Sequence, residues 1–411
     1  MESCAFPPMR SKATPSEGGD LPVAGFDTHL DGFTLCLMSR GEVLSTARAP
    51  ASRSALREEA RRLRGCRAAA EGCPTAHPLV WELRRLGVDA GLVNPHKVRN
   101  LRKGFFKDCK NDRIDAEAVA TLVDRMREKP RDPGDGELRT LARHHHSLTE
   151  RLVQVKQRAW WILYQLNTNY RKCFSDVFCK TSRRLLSRHT PQELEEMPLP
   201  RLEEALREAN PRYGPERARL RARLIRDLLR DGLRGNPGPG AVAVLRDLLR
   251  EMESLEERIS ETLSLLVRLA GERRGEELSL LRTIPGVTAE RAALILAELG
   301  DVGRFPTVDK VVAYAGLDPK VRESGRWRGR RKLSKRGSPA LRAALYRTAM
   351  GARLSNPVIG AEYKRMRSRG KSHKEALVAA SRKLLKIIYA VLRDKKPFHT
   401  PENTKNTTKK S

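Results

Sequence analysis

Short apolar runs separated by turn residues mark the first part of the chain. Residues 23–26 have the pattern of a buried strand that ends on Asp27, residues 33–38 predict a second strand, and residues 41–44 begin a third after a short turn. Strands joined by connections this short form an antiparallel meander. The pattern therefore places Asp27 near a turn at the edge of a sheet.

Helices and strands alternate after this meander. The pattern predicts a helix, a short Ala-rich strand that ends on Glu71, a second helix and a last strand, at residues 51–64, 66–71, 79–86 and 88–93. Asn94 and Pro95 end the last strand. Strands followed by alternating helices and strands indicate a mixed α/β domain over residues 21–130.

Two acids open the next predicted helix. Asp112 and Asp115 are three residues apart, so they lie on one face of the helix, and Ile114, Ala118 and Leu122 recur every four residues toward a core. Two carboxylates on one face repel each other unless a cation lies between them, and a divalent metal ion is the usual solution in phosphoryl-transfer sites. Acids in a first turn also complement the helix dipole, so both interpretations stay open.

The hydrophobic period then changes to alternating steps of three and four. Two runs, residues 138–166 and 245–269, have this heptad pattern, which is typical of coiled-coil seams. They predict either a helical hairpin within the chain or the stalk of a dimer. The histidine run at residues 144–146 is read as a metal clip or, since His145 occupies a seam position, as part of the packing. The segment 167–235 between the runs is helical and highly charged.

An Ile284-Pro285-Gly286-Val287 sequence precedes an apolar helix predicted at residues 289–299. This arrangement resembles a helix-hairpin-helix turn, whose backbone N–H groups and helix N-terminus face a phosphate. An ordinary Pro-Gly connection between two helices is the alternative. A last helix, with its leucines inward, is predicted at about residues 372–392.

Charge changes the interpretation of this helical part. The chain has 411 residues with 81 Lys and Arg against 50 Asp and Glu, a formal net charge of +31, and residues 316–396 alone hold 24 Lys and Arg against 5 acids. An excess of this size favours a polyanion partner, most often nucleic acid. The sequence has no apolar run near 18 residues and no signal-peptide pattern, so we expect a cytoplasmic protein without a membrane partner. Its seven scattered cysteines are expected to be reduced thiols.

Several of these features, taken in order along the chain, resemble one family. The acids after successive strands, the strand end at residues 94–95 and the Lys-x-Asp-x-x-Asp-Ala sequence at residues 110–116 are similar to the RuvC-like DEDD domain of the IS110 family of insertion-sequence transposases. Residues 283–287, 313–319 and 323–325 are similar to the second domain of that family. The resemblance covers about residues 21–170 and 278–396.

The resemblance implies a DNA recombinase that moves its own element, guided by a structured RNA. It implies that Asp27, Glu71, Asp112 and Asp115 bind Mg²⁺, as two ions, and that Ser324 is the nucleophile. Ser334 and Ser338 are the competing hydroxyls. We expect nucleic-acid contacts from the Arg-rich segment around the serine and from the Pro-Gly turn, through Arg322, Arg326, Arg328, Arg330, Arg331, Lys332, Lys335, Arg336 and Gly286.

The expected fold is therefore α/β plus all-α. A RuvC/RNase H-like mixed-sheet domain at residues 21–130 is followed by a coiled-coil helical spacer with a charged insertion at 131–277 and a helical, basic C-terminal transposase domain at 278–398. Disordered tails are predicted at residues 1–20 and 399–411.

Two other functions stay open. One is a RuvC-like junction nuclease that cuts with metal-activated water, and the other is a non-catalytic nucleic-acid-binding protein, a decayed transposase. We expect the protein to be a homo-oligomer, a dimer or tetramer, and to be associated with the bacterial nucleoid.

Overall fold

The chain divides into two compact units. The computed structural model describes residues 21–105, 111–127, 130, 135–320, 323–324, 327–328, 332–334 and 337–399. The first unit is Met1–Glu137 and the second is Leu138–Ser411. Both tails predicted to be disordered, apart from residue 399, lie outside the described residues.

A five-stranded mixed sheet forms the centre of the first unit. Its strands are β1 (Val23–Thr28), β2 (Gly32–Ser39), β3 (Glu42–Pro50), β4 (Arg67–Glu71) and β5 (Asp89–Val93). The strand order is β3-β2-β1-β4-β5; β2 is antiparallel to both β1 and β3, while β4 and β5 are parallel to β1. The predicted meander, and the mixed sheet that extends it, are thereby confirmed.

Helices cover both faces of this sheet. On one face, α1 (Arg53–Arg62) and α2 (Ala76–Arg85) share a core with Phe26 of β1. On the other face, α3 (Pro95–Phe105) and α4 (Asp112–Asp124) share a core with Val23 of the same strand. Successive side chains of a strand point to opposite faces. The α4 face is therefore the face toward which the odd-numbered residues of β1 point.

Gly25 lets helix α4 lie directly on the sheet. A Cβ atom at Gly25 would lie 2.3 Å from the carbonyl oxygen of Ala116 and 2.4 Å from the backbone nitrogen of Ala120, so only glycine fits. Of the three predicted core residues of α4, Ala118 and Leu122 are buried and Ile114 is half-buried. The stripe against β1 runs through Ala116 and Ala120, since the missing side chain of Gly25 selects the small residues opposite it.

Both ends of α4 are fixed. At its start the Asn111 side chain accepts a hydrogen bond from the Ile114 backbone N–H at 2.8 Å, a standard N-cap. At its end, Asp124 accepts a hydrogen bond of 2.7 Å from the Gly41 backbone N–H in the β2–β3 turn. Because the helix is held at both ends, its two N-terminal acids have a defined position over the sheet.

Two long helices run through the second unit, α5 (Asp135–Leu166) and α10 (Gly238–Arg282). Four helices lie between them in sequence, α6 (Lys180–Arg188), α7 (Pro191–Glu196), α8 (Leu199–Ala209) and α9 (Pro215–Asp231). All four contribute to one hydrophobic core with the C-terminal part of α5 and the N-terminal part of α10. The charged segment to which the sequence assigned no function therefore builds much of one core of this unit.

The two heptad runs meet within one chain. Leu148 and Val155 of α5 share a core with Leu248 and Met252 of α10, and Arg151 lies 2.7 Å from Glu251. This arrangement favours the intramolecular hairpin over the dimer stalk. Since α6 to α9 pack into the same core, the pair is part of a helical bundle, and an isolated coiled coil stays a prediction.

A second core holds the C-terminal part of the unit together. It joins the C-terminal part of α10 to α11 (Ala289–Leu299), α12 (Val308–Tyr314), α13 (Pro339–Ser355), α14 (Pro357–Ser368) and α15 (His373–Asp394). The predicted last helix is confirmed as α15, whose Leu384 and Ile388 are fully buried. The predicted domain boundary at residue 277 falls inside α10, five residues before the end of that helix.

Four short strands interrupt this helical part, which the sequence predicted as purely helical. They form two antiparallel ribbons, β6 (Pro319–Lys320) with β9 (Lys332–Leu333) and β7 (Glu323–Ser324) with β8 (Trp327–Arg328). Two-residue strands leave no alternating hydrophobic pattern, so the sequence gives no signal for them. Among the described residues, no helix is long and apolar enough to cross a membrane.

Candidate metal and nucleic-acid site

Two predicted acids lie at the carboxyl ends of neighbouring parallel strands. The ladder between β1 and β4 pairs Gly25 with Ala69 and ends at Phe26 and Ala70, so Asp27 and Glu71 come next on the two strands. Gly25 lies against α4 and Ala69 shares the core of that helix. By the two-residue period of a strand, Asp27 and Glu71 are on this same face of the sheet.

Helix α4 brings a third acid to this place. His29 Nε2 lies 2.9 Å from Asp27 Oδ2 and 3.2 Å from Asp112 Oδ1, so the imidazole joins the two carboxylates. One ligand atom from each of these three residues lies within 4.8 Å of the other two. The arrangement offers oxygen and imidazole ligands at a spacing that one divalent cation can bridge.

The electrostatics of Asp27 fit a cation site. Burial raises the pKa of this carboxyl group, the charges of Asp115 and Asp112 raise it further, and His29 acts in the opposite direction. Asp27 Oδ2 is buried, and the imidazole Nε2 of His29 lies 2.9 Å from it. A buried carboxylate with other acids nearby is unfavourable unless positive charge lies beside it, which a bound cation would supply.

Asp115 has a different partner. Arg102 of α3 donates a hydrogen bond from Nη1 to Asp115 Oδ1 at 2.5 Å, and both side chains are largely buried. Asp115 still lies close enough to Asp27 to raise its pKa. The structure thus brings Asp27 and Asp112 together with His29, while metal binding by Asp27, Glu71, Asp112 and Asp115 stays a prediction.

A small hydrogen-bonded cluster connects the ends of β1 and β4. Thr28 Oγ1 lies 2.9 Å from Thr75 Oγ1 and 3.3 Å from Cys73 Sγ, and Thr75 donates to the Thr28 carbonyl oxygen at 3.1 Å. The loop that follows Glu71 is therefore tied to the residue that follows Asp27. These contacts keep the two acids at neighbouring positions near the carboxyl ends of β1 and β4.

Sequence reasoning missed His29 and Arg102. The signal for His29 was its distance of two residues from Asp27, which on an extended chain puts both side chains on one face. Arg102 lay within a basic segment that has no pattern of its own. Its pairing with Asp115 depends on how α3 packs against α4, which the sequence does not give.

The predicted serine lies in the second unit. Ser324 is in β7, where its backbone pairs with Trp327 of β8. Arg328 is in β8 and Lys332 is in β9. The other predicted nucleic-acid contacts of this segment lie outside the described residues: Arg322, Arg326, Arg330, Arg331, Lys335 and Arg336.

Both competing hydroxyls have structural partners. Ser334 Oγ donates a hydrogen bond to Asp318 Oδ1. Ser338 Oγ donates to Glu298 Oε2 at 2.7 Å and accepts from the Leu341 backbone N–H at 3.2 Å, so it caps α13. Glu298 is only 1% exposed. These contacts explain the two serines by packing and leave Ser324 as the predicted nucleophile.

The Pro-Gly turn packs against a helix. Gly286 has a φ of +86°, and a Cβ atom there would lie 2.5 Å from the Cα atom of Ala352 in α13. Glycine is therefore required by conformation and by close approach. This observation favours the alternative of a packed connection between α10 and α11, and phosphate binding by Gly286 stays a prediction.

The fold and site define a class. A five-stranded mixed sheet with acids after adjacent parallel strands and on a crossing helix is consistent with a RuvC-like domain. Comparison with known families gives the assignment. A DEDD transposase model of the IS110 type matches residues 24–167, and the model of the IS116/IS110/IS902 transposase family matches residues 278–364. The chain therefore carries both transposase domains of this family.

Individual relatives agree with this assignment. The chain is 31% identical over 165 residues to the insertion element IS900 uncharacterized 42 kDa protein of Mycobacterium paratuberculosis, covering 40% of this chain and 41% of that protein. It is 35% identical over 122 residues to the pilin gene-inverting protein of Moraxella bovis, covering 29% of this chain and 38% of that protein. It is 25% identical over 299 residues to a probable family 20 transposase of Pseudomonas aeruginosa, covering 71% and 73%. The first two matches thus span about two fifths of those relatives.

Proposed function

We propose that this chain is a DNA recombinase of an insertion sequence, which cuts and rejoins DNA strands with a metal-binding acidic site and a serine nucleophile. The observation that supports it most directly is the meeting of Asp27, His29 and Asp112, whose ligand atoms all lie within 4.8 Å of one another. The relative named for pilin gene inversion favours recombination of DNA segments over simple cleavage.

The acidic site would hold the metal through Asp27 and Asp112, with Glu71 and Asp115 as the further predicted ligands. Carboxylate oxygens suit Mg²⁺, and the family resemblance favours two ions. A metal ion bound there neutralises charge on the non-bridging oxygens of the reacting phosphate. His29 contacts one carboxylate oxygen of Asp27 and one of Asp112. We therefore assign it either to orienting these two carboxylates or to binding the metal directly.

Ser324 would supply the nucleophile. Its Oγ forms a bond to the phosphorus of the attacked phosphodiester and loses its proton, while the bridging oxygen of the cleaved strand leaves and takes up a proton. The product is a serine phosphoester that conserves the bond energy. Attack by a DNA hydroxyl on this ester reverses the exchange, joins the new strand and frees the serine.

Charge and resemblance support the proposed partners. A net charge of +31 suits a complex with DNA and with a structured guide RNA. The guide RNA and assembly as a dimer or tetramer come from the family resemblance, and both need a direct test. Co-purification of RNA with the full chain, followed by sequencing of the bound species, tests the first. Mass measurement of the purified complex tests the second.

A trapped covalent complex tests the serine chemistry. We expect the full chain, incubated with DNA that spans an element end, to give a denaturation-resistant protein–DNA species that protease treatment removes. Ser324→Ala should not form it. Free DNA ends without an adduct would favour the alternative, a RuvC-like junction nuclease that uses metal-activated water. Binding without any cleavage or adduct would indicate a non-catalytic member.

A further inference from the structure

A row of polar side chains crosses the sheet beside the acidic site. In the ladder, Asp27 pairs with Thr34 of β2, and Thr34 pairs with Arg48 of β3. Directly opposed residues of antiparallel strands point to the same face. Glu71, Asp27, Thr34 and Arg48 therefore form a row over four neighbouring strands, on the face that α4 covers.

Thr34 is an unusual member of this row. It is only 6% exposed, and its Oγ1 has no hydrogen-bond partner within the described ranges. Buried hydroxyl groups nearly always have a partner, since an unsatisfied one keeps the full cost of its desolvation. A valine would fill almost the same volume without that cost. The hydroxyl at this position is explained if a ligand completes it.

Thr34 lines an open groove next to Asp112. The groove has a volume of about 460 Å³, and its other lining residues are Thr46, Ala47, Arg48, Asn111, Asp112 and Arg113. It thus offers two guanidinium groups and two hydroxyls around a single carboxylate. Arg48 and Arg113 are exposed, so both cations can turn to an incoming anion.

Arg48 is available for such an anion. Its Nη2 lies 3.6 Å from Asp112 Oδ2, longer than a hydrogen bond, and its side chain is 77% exposed. An exposed pair of this kind contributes little to stability. A phosphate oxygen offers the same guanidinium a shorter, charge-assisted and bidentate contact. Exchange of Asp112 for phosphate is therefore favourable for Arg48 and frees the carboxylate for a cation.

We infer that this groove binds a phosphodiester group of the nucleic-acid strand, adjacent to the phosphodiester that reacts. Arg48 and Arg113 are its cations and Thr34 is a hydroxyl donor. The inference takes its substrate class, a nucleic-acid strand, from the proposed function. It adds three residues of the first unit to those that contact nucleic acid. Thr34 and Arg48 would position the nucleic-acid strand, since neither of them is one of the proposed metal ligands.

Arginine modification tests the contact without any catalysis. The full chain is treated with phenylglyoxal in EDTA, alone and with a single-stranded DNA oligonucleotide, and modified peptides are measured by mass spectrometry. We expect DNA to protect Arg48 and Arg113. Arg57 and Arg61 of α1, exposed on the helix that covers the opposite face of the sheet, should react equally in both samples. If DNA protects all four arginines to the same extent, or protects none of them, the inference is overturned.

Inorganic phosphate at matched ionic strength distinguishes a site for the free phosphate ion from a site for a nucleic-acid strand. If it protects Arg48 as well as DNA does at equal phosphate concentration, the groove is an ion site and does not bind a strand. Weaker protection by the free ion supports the strand, since a polymer holds many phosphates near the groove at once.

Matched variants measure the contribution of each group. Arg48→Ala should weaken DNA binding about tenfold and lower the slope of log affinity against log salt by about one, and Arg61→Ala should change neither as much. Thr34→Val should weaken binding a few-fold while the first unit keeps its protection in hydrogen exchange, because the change removes an unsatisfied hydroxyl. Loss of that protection together with binding would mean that Thr34 has only a structural role.

The outcomes distinguish this inference from the proposed function. If a protein that forms the Ser324 adduct shows no protection of Arg48, the inference about the groove fails alone. If Arg48 is protected but no adduct forms with any DNA, the groove stands and the serine chemistry fails.

Discussion

Arg102 of α3 and Asp115 of α4 form the shortest described contact around the acidic site, with 2.5 Å between Nη1 and Oδ1. Their side chains are 17% and 11% exposed, so the pair is shielded from water on most sides. The guanidinium gives Asp115 a positive neighbour while Asp27 and Asp112 lie next to a histidine. Arg102 therefore places a positive charge against one acid in a cluster of like charges, independently of any bound ion.

Removal of this guanidinium should destabilise the first unit. Arg102→Met leaves Asp115 as a largely buried, unpaired carboxylate, and we expect a loss of roughly 2–3 kcal/mol, below the cost for a fully buried pair because both groups keep some exposure. Hydrogen exchange of the α4 amides in the full chain measures the loss. Adding Asp115→Asn to the same variant should restore most of the protection, and a double variant as unprotected as the single one would contradict the pairing.

Substitution of Asp27 should weaken metal binding without unfolding the chain. Asp27→Asn keeps the shape but removes the charge beside Asp112, so we expect affinity for Mn²⁺, measured by calorimetry, to fall at least about tenfold. Strand exchange should be lost and DNA binding should persist. Asp31→Asn is the control, because Asp31 is an exposed acid four residues away. Equal metal affinity of the two variants would remove Asp27 from the site.

Gly25→Ala tests whether α4 must touch the sheet. The added methyl group would lie 2.3 Å from the Ala116 carbonyl oxygen, and neither backbone can move alone. We expect destabilisation by about 3 kcal/mol or more, at the upper end of overpacking costs, with lower affinity for Mn²⁺ because the acids of α4 shift. Gly104→Ala is the matched control, since a Cβ atom there meets nothing within 4 Å and Gly104 lies in α3. That change should be neutral or slightly stabilising.

His145 should make the second unit sensitive to acid. Burial lowers the pKa of this histidine below its ordinary value of 6.5, and the charges of Arg347 and His146 lower it further. The folded chain therefore binds fewer protons at this site than the unfolded chain. The resulting stability is complete above pH 6.5 and falls as the pH drops below that value, by at most about 1.4 kcal/mol per pH unit.

Melting curves at neutral and mildly acidic pH check this sign. His145→Leu, which suits the heptad seam, should lose less of its melting temperature on acidification than the wild type does. His144→Leu, an exposed neighbour on the same helix, should behave like the wild type. An identical acid response in wild type and His145→Leu would show that other groups determine it.

The sequence predicted the elements of the first unit well, because its strands are short apolar runs between clear turn signals. Even the Ala-rich β4 was found, since Ala68 to Ala70 lie between the charged residues Arg67 and Glu71 and are buried together. What the pattern did not contain was the contact between elements. Asp27, His29 and Asp112 meet only because Gly25 lets α4 pack directly against the sheet. The sequence does not show which helix packs against a glycine in a strand.

The second unit shows a different limit. Heptad spacing identified α5 and α10, but it does not state which helices share a core, and α6 to α9 occupy positions that a two-stranded coil would leave to a partner chain. The short ribbons around Ser324 have two residues per strand, too few for any period. Ser324 was therefore predicted from the family resemblance and not from any pattern in these ribbons.

Ser324 and Ser338 should respond in opposite ways to the same substitution. Ser338 donates to the buried Glu298 and caps α13, so Ser338→Ala removes a cap and leaves a buried carboxylate with one donor fewer. We expect a loss of about 1–3 kcal/mol, seen as lower protection of the α13 amides, with the covalent DNA adduct still formed. Ser324→Ala should keep normal protection of α13 and form no adduct.

Two further variants decide between the hydroxyls. Ser334→Ala removes the contact to Asp318 and should resemble Ser338→Ala, with reduced local protection and an intact adduct. Ser324→Cys keeps a nucleophilic atom at the same position, and a trace of adduct through the thiolate is expected. An adduct that persists in Ser324→Ala but disappears in Ser334→Ala would transfer the nucleophile to Ser334. Peptide mapping of the trapped species would then locate the phosphoester directly, independent of any change in stability.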